Sequence, residues 1–128
     1  MKQELEAVEQ LMTRLLNANN KGALTEEQIP KFGRWLKQVL VRQWISQWNK
    51  KEPHQGSGLR RLFSKEGIIS HCLVYACEYS DIYERALSHA LPMNFCIWVN
   101  PGQVLYRLGQ GPKMEVYKDP TMDHDDLM

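Results

Sequence analysis

Leu5, Val8, Leu11, Met12, Leu15 and Leu16 recur by threes and ones, a spacing that lays them along one stripe of an α-helix. Asn19-Asn20-Lys21-Gly22 follows as a stop, with Gly22 suited to the left-handed position that ends helices. Thr25-Glu26-Glu27-Gln28 has the form of a capping box, in which the Thr hydroxyl and the Gln side chain reciprocally satisfy backbone N–H groups. A second helix is predicted from there, with Ile29, Phe32, Trp35, Leu36, Val39, Leu40, Trp44, Ile45 and Trp48 on its apolar face. Pro30 falls in its first turns and shifts the effective start by a few residues. The short connection between the two stripes predicts an antiparallel helical hairpin whose faces share one core.

Asn49 to Gly58 is polar, carries Pro53 and Gly56-Ser57-Gly58, and reads as a loop. Leu59 to Phe63 is a short strand candidate. Ile68 to Cys77 and Ser80 to Ala90 have apolar residues at helical spacing, although Val74-Tyr75 also suits a strand. Phe95 to Val99 reads as a buried strand. In Asn100-Pro101-Gly102-Gln103 an Asn at the cap, a Pro at the first helical position and a Gln at the third predict a short helix through Tyr106 or Arg107. Gly109 to Pro112 turns the chain, and Met114 to Tyr117 alternates as a final strand. The fold class is α+β: an N-terminal antiparallel helical hairpin packed with further helices on a small β-sheet. One domain is expected over residues 1–118, followed by a loose acidic tail over 119–128.

Composition narrows the function. With 128 residues, 43% of them apolar, the chain can bury a real core as one unit, which sets aside disorder and a coiled-coil rod. Sixteen Lys and Arg against fifteen Asp and Glu give a net charge of +1, so no whole-molecule field steers a polyanion and nucleic-acid binding needs a local patch. Three cysteines without paired spacing are poor material for a disulfide framework, and the acidic N-terminus and lack of a long apolar run argue against a signal peptide or a membrane span. A cytoplasmic and nuclear monomer without cofactor is the expectation. His71, Cys72, Cys77 and His89 lack the two close ligand pairs of a zinc site. Ser57 lies between glycines but outside any G-x-S-x-G frame, and no P-loop, dinucleotide or H-E-x-x-H motif occurs, so no enzyme and no metal are expected.

Two features suit binding. Arg60, Arg61 and Lys65 follow a Gly-rich loop and form the compact basic cluster of a direct RNA-binding module, the alternative function; strand alternation, however, sends Arg60 and Arg61 to opposite faces. Trp98 ends a strand one residue before Asn100-Pro101 and serves either as core or as a partner-facing anchor.

Two stretches together resemble the BTG/Tob anti-proliferative family. Trp48 to Phe63 carries Trp48, Pro53, Gly56-Ser57-Gly58 and Arg60 as in that family's box A; Leu91-Pro92 through Gly109, with Ile97-Trp98-Val99-Asn100-Pro101 and Val104-Leu105-Tyr106-Arg107-Leu108-Gly109, is similar to its box B. The resemblance covers roughly residues 1–118 and suggests a divergent member without a long C-terminal tail. It implies a non-enzymatic adaptor that binds the catalytic deadenylase subunit of the CCR/NOT complex, promotes mRNA poly(A) shortening and restrains proliferation. It places the partner contact on Leu59, Trp98 and Asn100, with Pro101, Gly102 and Gln103 beside them, and implies neither direct nucleic-acid nor membrane contact. Leu59 stands where the family has an aromatic, Gly102 where it has a larger residue, and Asn100, Gln103 and Gln110 where it has acids. These amides keep the shape of the acids and delete their charge, which implies weakened deadenylase affinity.

Overall fold

The capping box forms as predicted: the Gln28 N–H donates to Thr25 Oγ1 at 3.2 Å and the Thr25 N–H to Gln28 Oε1 at 2.8 Å. It opens α2 (Gln28–Trp44), which packs on α1 (Lys2–Asn19). Between them Gly22 takes φ +85°, and the Asn20 amide grips the Leu24 backbone twice, accepting from its N–H and donating to its carbonyl. Leu5, Val8, Leu11, Met12 and Leu16 of α1 are buried against Phe32, Leu36, Val39 and Leu40 of α2. The second stripe ends sooner than predicted. After Trp44 the chain tightens into a 3-10 turn (Ile45–Gln47), so Ile45 is exposed and Trp48 lies beyond the helix, half-buried. Trp35 is half-buried too and stacks on Tyr79 at 5.2 Å.

The computed structural model describes residues 1–121, so residues 122–128 of the predicted tail lie outside it. A loop and a 3-10 turn (Ser57–Leu59) lead into β1 (Arg61–Lys65) and a two-residue β2 (Ile68–Ile69); α3 (His71–Ser80), α4 (Glu84–Ala90), β3 (Phe95–Asn100), β4 (Gln103–Leu108) and β5 (Met114–Lys118) follow. The architecture is α+β, with four helices and one antiparallel sheet in the order β2-β1-β3-β4-β5. Val74 and Tyr75 are helical, and Asp81 in the left-handed conformation ends α3, so the next helix starts at Glu84 rather than near Ser80.

Three expectations are corrected. Leu59 does not begin the strand but sits in the 3-10 turn, two residues before pairing starts. The tail is not loose at its start: the Asp119 N–H donates to the Gly102 carbonyl at 2.8 Å, and its carboxylate accepts from the Thr121 N–H and hydroxyl. The short helix after Asn100 does not exist. Asn100 pairs with Gln103, leaving Pro101 and Gly102 as a two-residue turn with Gly102 at φ +83°, the arrangement a type II turn asks of Pro followed by Gly. Asn-Pro-Gly-Gln satisfies both readings locally. The strand wins because Val104 alternates inward and Leu105 outward, while β4 finds partners on both edges.

That alternation positions everything else. Leu62, Ile97, Val99 and Val104 point to the inner face, across which α1 lies. Phe63, Cys96, Trp98, Leu105 and Arg107 occupy the opposite positions along the same strands, on the face away from α1.

Candidate functional site

Arg60, expected as part of a surface cluster, is fully buried at 0% exposure. Its Nε donates to the Val99 carbonyl at 2.9 Å, Nη2 to the Pro53 carbonyl at 3.1 Å and to Asn100 Oδ1 at 3.0 Å, and Nη1 to the Gln47 carbonyl at 3.4 Å. The guanidinium also lies 5.7 Å from the Trp48 ring centroid. One side chain thus ties the loop after α2 to the end of β3, and its five fixed donors are what that task requires. Burial depresses its pKa from the ordinary arginine value, yet a guanidinium remains charged. Gly56, at φ +74°, comes close to this group: a Cβ there would sit 3.0 Å from Arg60 Nη1.

The site residues therefore separate into two kinds. Asn100 is 3% exposed and serves as the neutral acceptor of the buried cation. Pro101 and Gly102 are buried in the hairpin turn, where the Gly102 N–H donates to Glu4 Oε2 of α1 at 2.8 Å. These three hold the corner in shape. Leu59, by contrast, is 71% exposed on a turn that packs against β3, Trp98 is half-exposed on the face away from α1, and Gln103 is partly exposed with its amide donating to Glu115 at 2.8 Å. Arg60, Arg61 and Lys65 make no common patch, because Arg60 turns inward while Arg61 and Lys65 stay exposed.

Strand pairing assembles a different basic surface, which the sequence reading missed. Register sets Arg61 beside Trp98 and Leu105, and Phe63 beside Cys96 and Arg107. A shallow groove of about 560 Å³ runs along this face, lined among others by Arg61, Phe63, Lys65, Trp98 and Arg107 and, among the described residues, by no carboxylate. Two of the rings in it carry a cation: Lys113 Nζ lies 4.4 Å from the Trp98 centroid and the Arg61 guanidinium 5.7 Å from that of Phe63. At such exposed sites this contact contributes about 0.5–1 kcal/mol, weak enough for the cation to leave when a better partner arrives. Arg107 Nε is sealed from water and finds no acceptor among the described residues. The signal that could have found this surface was the alternation of Gln103 to Leu108, had it been read as a strand.

The thiols are quiet. Burial pushes Cys72 up to about 11 and Cys77 up to about 12, the latter helped by Glu84 and Glu78. Cys96 in the groove is also raised by burial, against the opposing pull of Arg61, Lys113 and Arg107. All three are unpaired, and among the described residues no three His, Cys, Asp or Glu side chains converge on a point that could hold a metal ion.

Known proteins share this sequence and architecture. The family model described as the BTG family matches residues 1–118. Protein BTG3 of Rattus norvegicus is 31% identical over 111 residues, which cover 86% of this chain and 42% of that protein. Protein BTG1 of Homo sapiens is 28% identical over 92 residues, covering 70% and 52% respectively. Protein Tob1 of Homo sapiens is 26% identical over 102 residues, covering 79% and 29%. The chain spans about half the length, or less, of these curated relatives. Among solved structures, a substituted BTG/Tob domain of C. elegans FOG-3 superposes with a TM-score of 0.73 at 24% identity, covering 92% of this chain and 82% of that one, and so shares the fold.

Proposed function

The chain belongs to the BTG family of anti-proliferative proteins, and from that membership we propose that it is a non-enzymatic adaptor that binds the catalytic deadenylase subunit of the CCR/NOT complex. By holding that subunit it promotes mRNA poly(A) shortening and restrains proliferation, in the cytoplasm and the nucleus. The observation that supports this reading is an exposed Leu59, on the turn that packs against β3, together with an outward Trp98 on that strand. Large aromatic and aliphatic side chains left on the surface are the kind of residue on which interface energies concentrate.

The buried neighbours give the contact its rigidity. Pro101 and Gly102 fix the hairpin turn, Glu4 clamps it to α1, and Asn100 with Arg60 locks the β3 end to the preceding loop. A partner thus meets an already shaped corner, which limits the ordering that binding requires. In this reading Leu59, Trp98 and Gln103 touch the partner, while Asn100, Pro101 and Gly102 act by positioning.

Capture of the endogenous deadenylase subunit from cell extract tests the proposal. Wild-type protein retains it; Leu59→Lys, a change at a site with nothing buried to disturb, strongly reduces retention while thermal unfolding stays the same. Equal capture by Leu59→Lys would remove Leu59 from the interface.

A further inference from the structure

We propose that the sheet face away from α1 is a binding site for single-stranded nucleic acid, whose bases stack on Phe63 and Trp98 while its phosphates pair with Arg61, Lys65, Arg107 and Lys113. The inference goes beyond the adaptor reading and does not rest on it.

The register carries the argument. Phe63 opposes Cys96 and Arg61 opposes Trp98, so Phe63 and Trp98 occupy diagonal positions on one face of adjacent strands, positions that lie roughly 7–8 Å apart in antiparallel pairs. A four- or five-stranded sheet presenting two such rings is a platform on which successive splayed bases can stack. Charge complementarity selects the ligand. Arg61 and Lys65 from β1, Arg107 from β4 and Lys113 from the following turn surround the rings, and no carboxylate among the described residues lines the groove. Glu115, the acid nearest on β5, is held by the Gln103 amide.

Two further details fit a strand with both bases and phosphates. The cations now resting over the rings, Lys113 on Trp98 and Arg61 on Phe63, sit on flexible stems and can move to phosphate as a base takes the ring face. Arg107 Nη2, the outer end of that guanidinium, donates only across a long 3.4 Å to the exposed Gln110 Oε1, a contact that a phosphate oxygen in the groove can replace. An acidic peptide would account for the cations and leave the rings unexplained.

Fluorescence anisotropy of the purified protein with labelled fifteen-nucleotide oligouridylate tests this without any protein partner. The expected result is saturable binding whose log affinity falls with log salt at a slope near −3, from four contacts at about 0.7 each, or roughly 50-fold between 50 and 200 mM. Lys65→Gln with Arg107→Gln should flatten the slope by about 1.4. Phe63→Leu, which keeps apolar bulk so that the domain still folds but removes the stacking face, should weaken binding about tenfold. A blunt RNA duplex and poly-glutamate of matched charge should compete poorly. Absence of binding at low salt overturns the proposal, and so does poly-glutamate competing as well as RNA with Phe63→Leu indifferent. Leu59→Gln separates the two readings, since it removes the exposed apolar side chain without adding a cation to the turn on β3 and should leave this binding unchanged.

Discussion

Asn100→Asp restores an acid at the position where the BTG/Tob pattern has one, and the structure says what that acid meets. Asn100 Oδ1 lies 3.0 Å from Nη2 of Arg60, a guanidinium with 0% exposure whose other acceptors are carbonyl oxygens. The substitution therefore supplies a buried cation with its counter-ion rather than changing a surface charge. The opposing terms are both large. Two unit charges about 4 Å apart at an effective dielectric of about 20 attract by roughly 4 kcal/mol, and desolvating the new carboxylate takes back several of them. The cation's own desolvation is already present in the folded protein, so the balance favours the pair by about 1 kcal/mol, comparable to the gain from a neutral to a charge-assisted hydrogen bond. For a chain of 128 residues, an unfolding entropy of about 2.1 cal/mol/K per residue makes this a rise of about 4 °C in Tm. The effect has a pH signature. Arg60 should hold the folded carboxyl below its unfolded value of about 3.9, so the extra stability is present above pH 4 and disappears as the pH falls through the depressed folded pKa. Paired thermal melts of the two proteins at pH 7 and at pH 2–3 measure it. An Asp variant that is less stable at pH 7, or whose difference from wild type is independent of pH, would refute the argument that Arg60 lacks a counter-ion.

Arg60→Met should be the reverse perturbation: removal of the guanidinium strands four neutral oxygens, and a loss of about 1–3 kcal/mol for each one that water cannot reach is expected in denaturant titration. Gly102→Ala forces a Cβ into φ +83° and should destabilise by about 1–2 kcal/mol by the same measurement, without touching the exposed face. Burial raises Cys72 to about 11 and Cys77 to about 12 from an ordinary 9.0, so the native fold keeps thiols protonated that the unfolded chain ionises. Their contribution is intact below pH 9 and is lost as the pH climbs toward the folded values; thermal melts from pH 8 to 11 should fall, less steeply in Cys72→Ser, and alkylation at pH 8 should spare Cys77 until denaturant is added.

What could be read from the sequence was local. The stripes of α1 and α2 and the Thr25–Gln28 capping box are decided by residues within a turn or two of each other, and they form as predicted apart from the end of α2, which stops at Trp44. Asn100-Pro101-Gly102-Gln103 was misread because its local chemistry fits a helix start and a hairpin turn alike, and the deciding partners lie on β3, β5 and α1. For Arg60 the alternation did imply that it and Arg61 part company. No local pattern, though, shows that four acceptors from Gln47, Pro53, Val99 and Asn100 await the inward one. Leu59 and Trp98 were both singled out from motifs, while only the fold shows Leu59 exposed on a turn against β3 and Trp98 on the outward side of that strand. The basic face needed that register as well, since Arg61 and Arg107 are neighbours only across three strands.

The central claim, that this domain is an adaptor working through Leu59 and Trp98, is tested most directly by calorimetric titration of the purified deadenylase subunit into wild-type protein and Trp98→Ala. The account predicts a one-to-one complex with wild type and at least a thirtyfold loss with Trp98→Ala, the equivalent of about 2 kcal/mol, while the two proteins unfold at the same temperature. No heat of binding with the wild type, or an affinity that Trp98→Ala leaves unchanged, would contradict it.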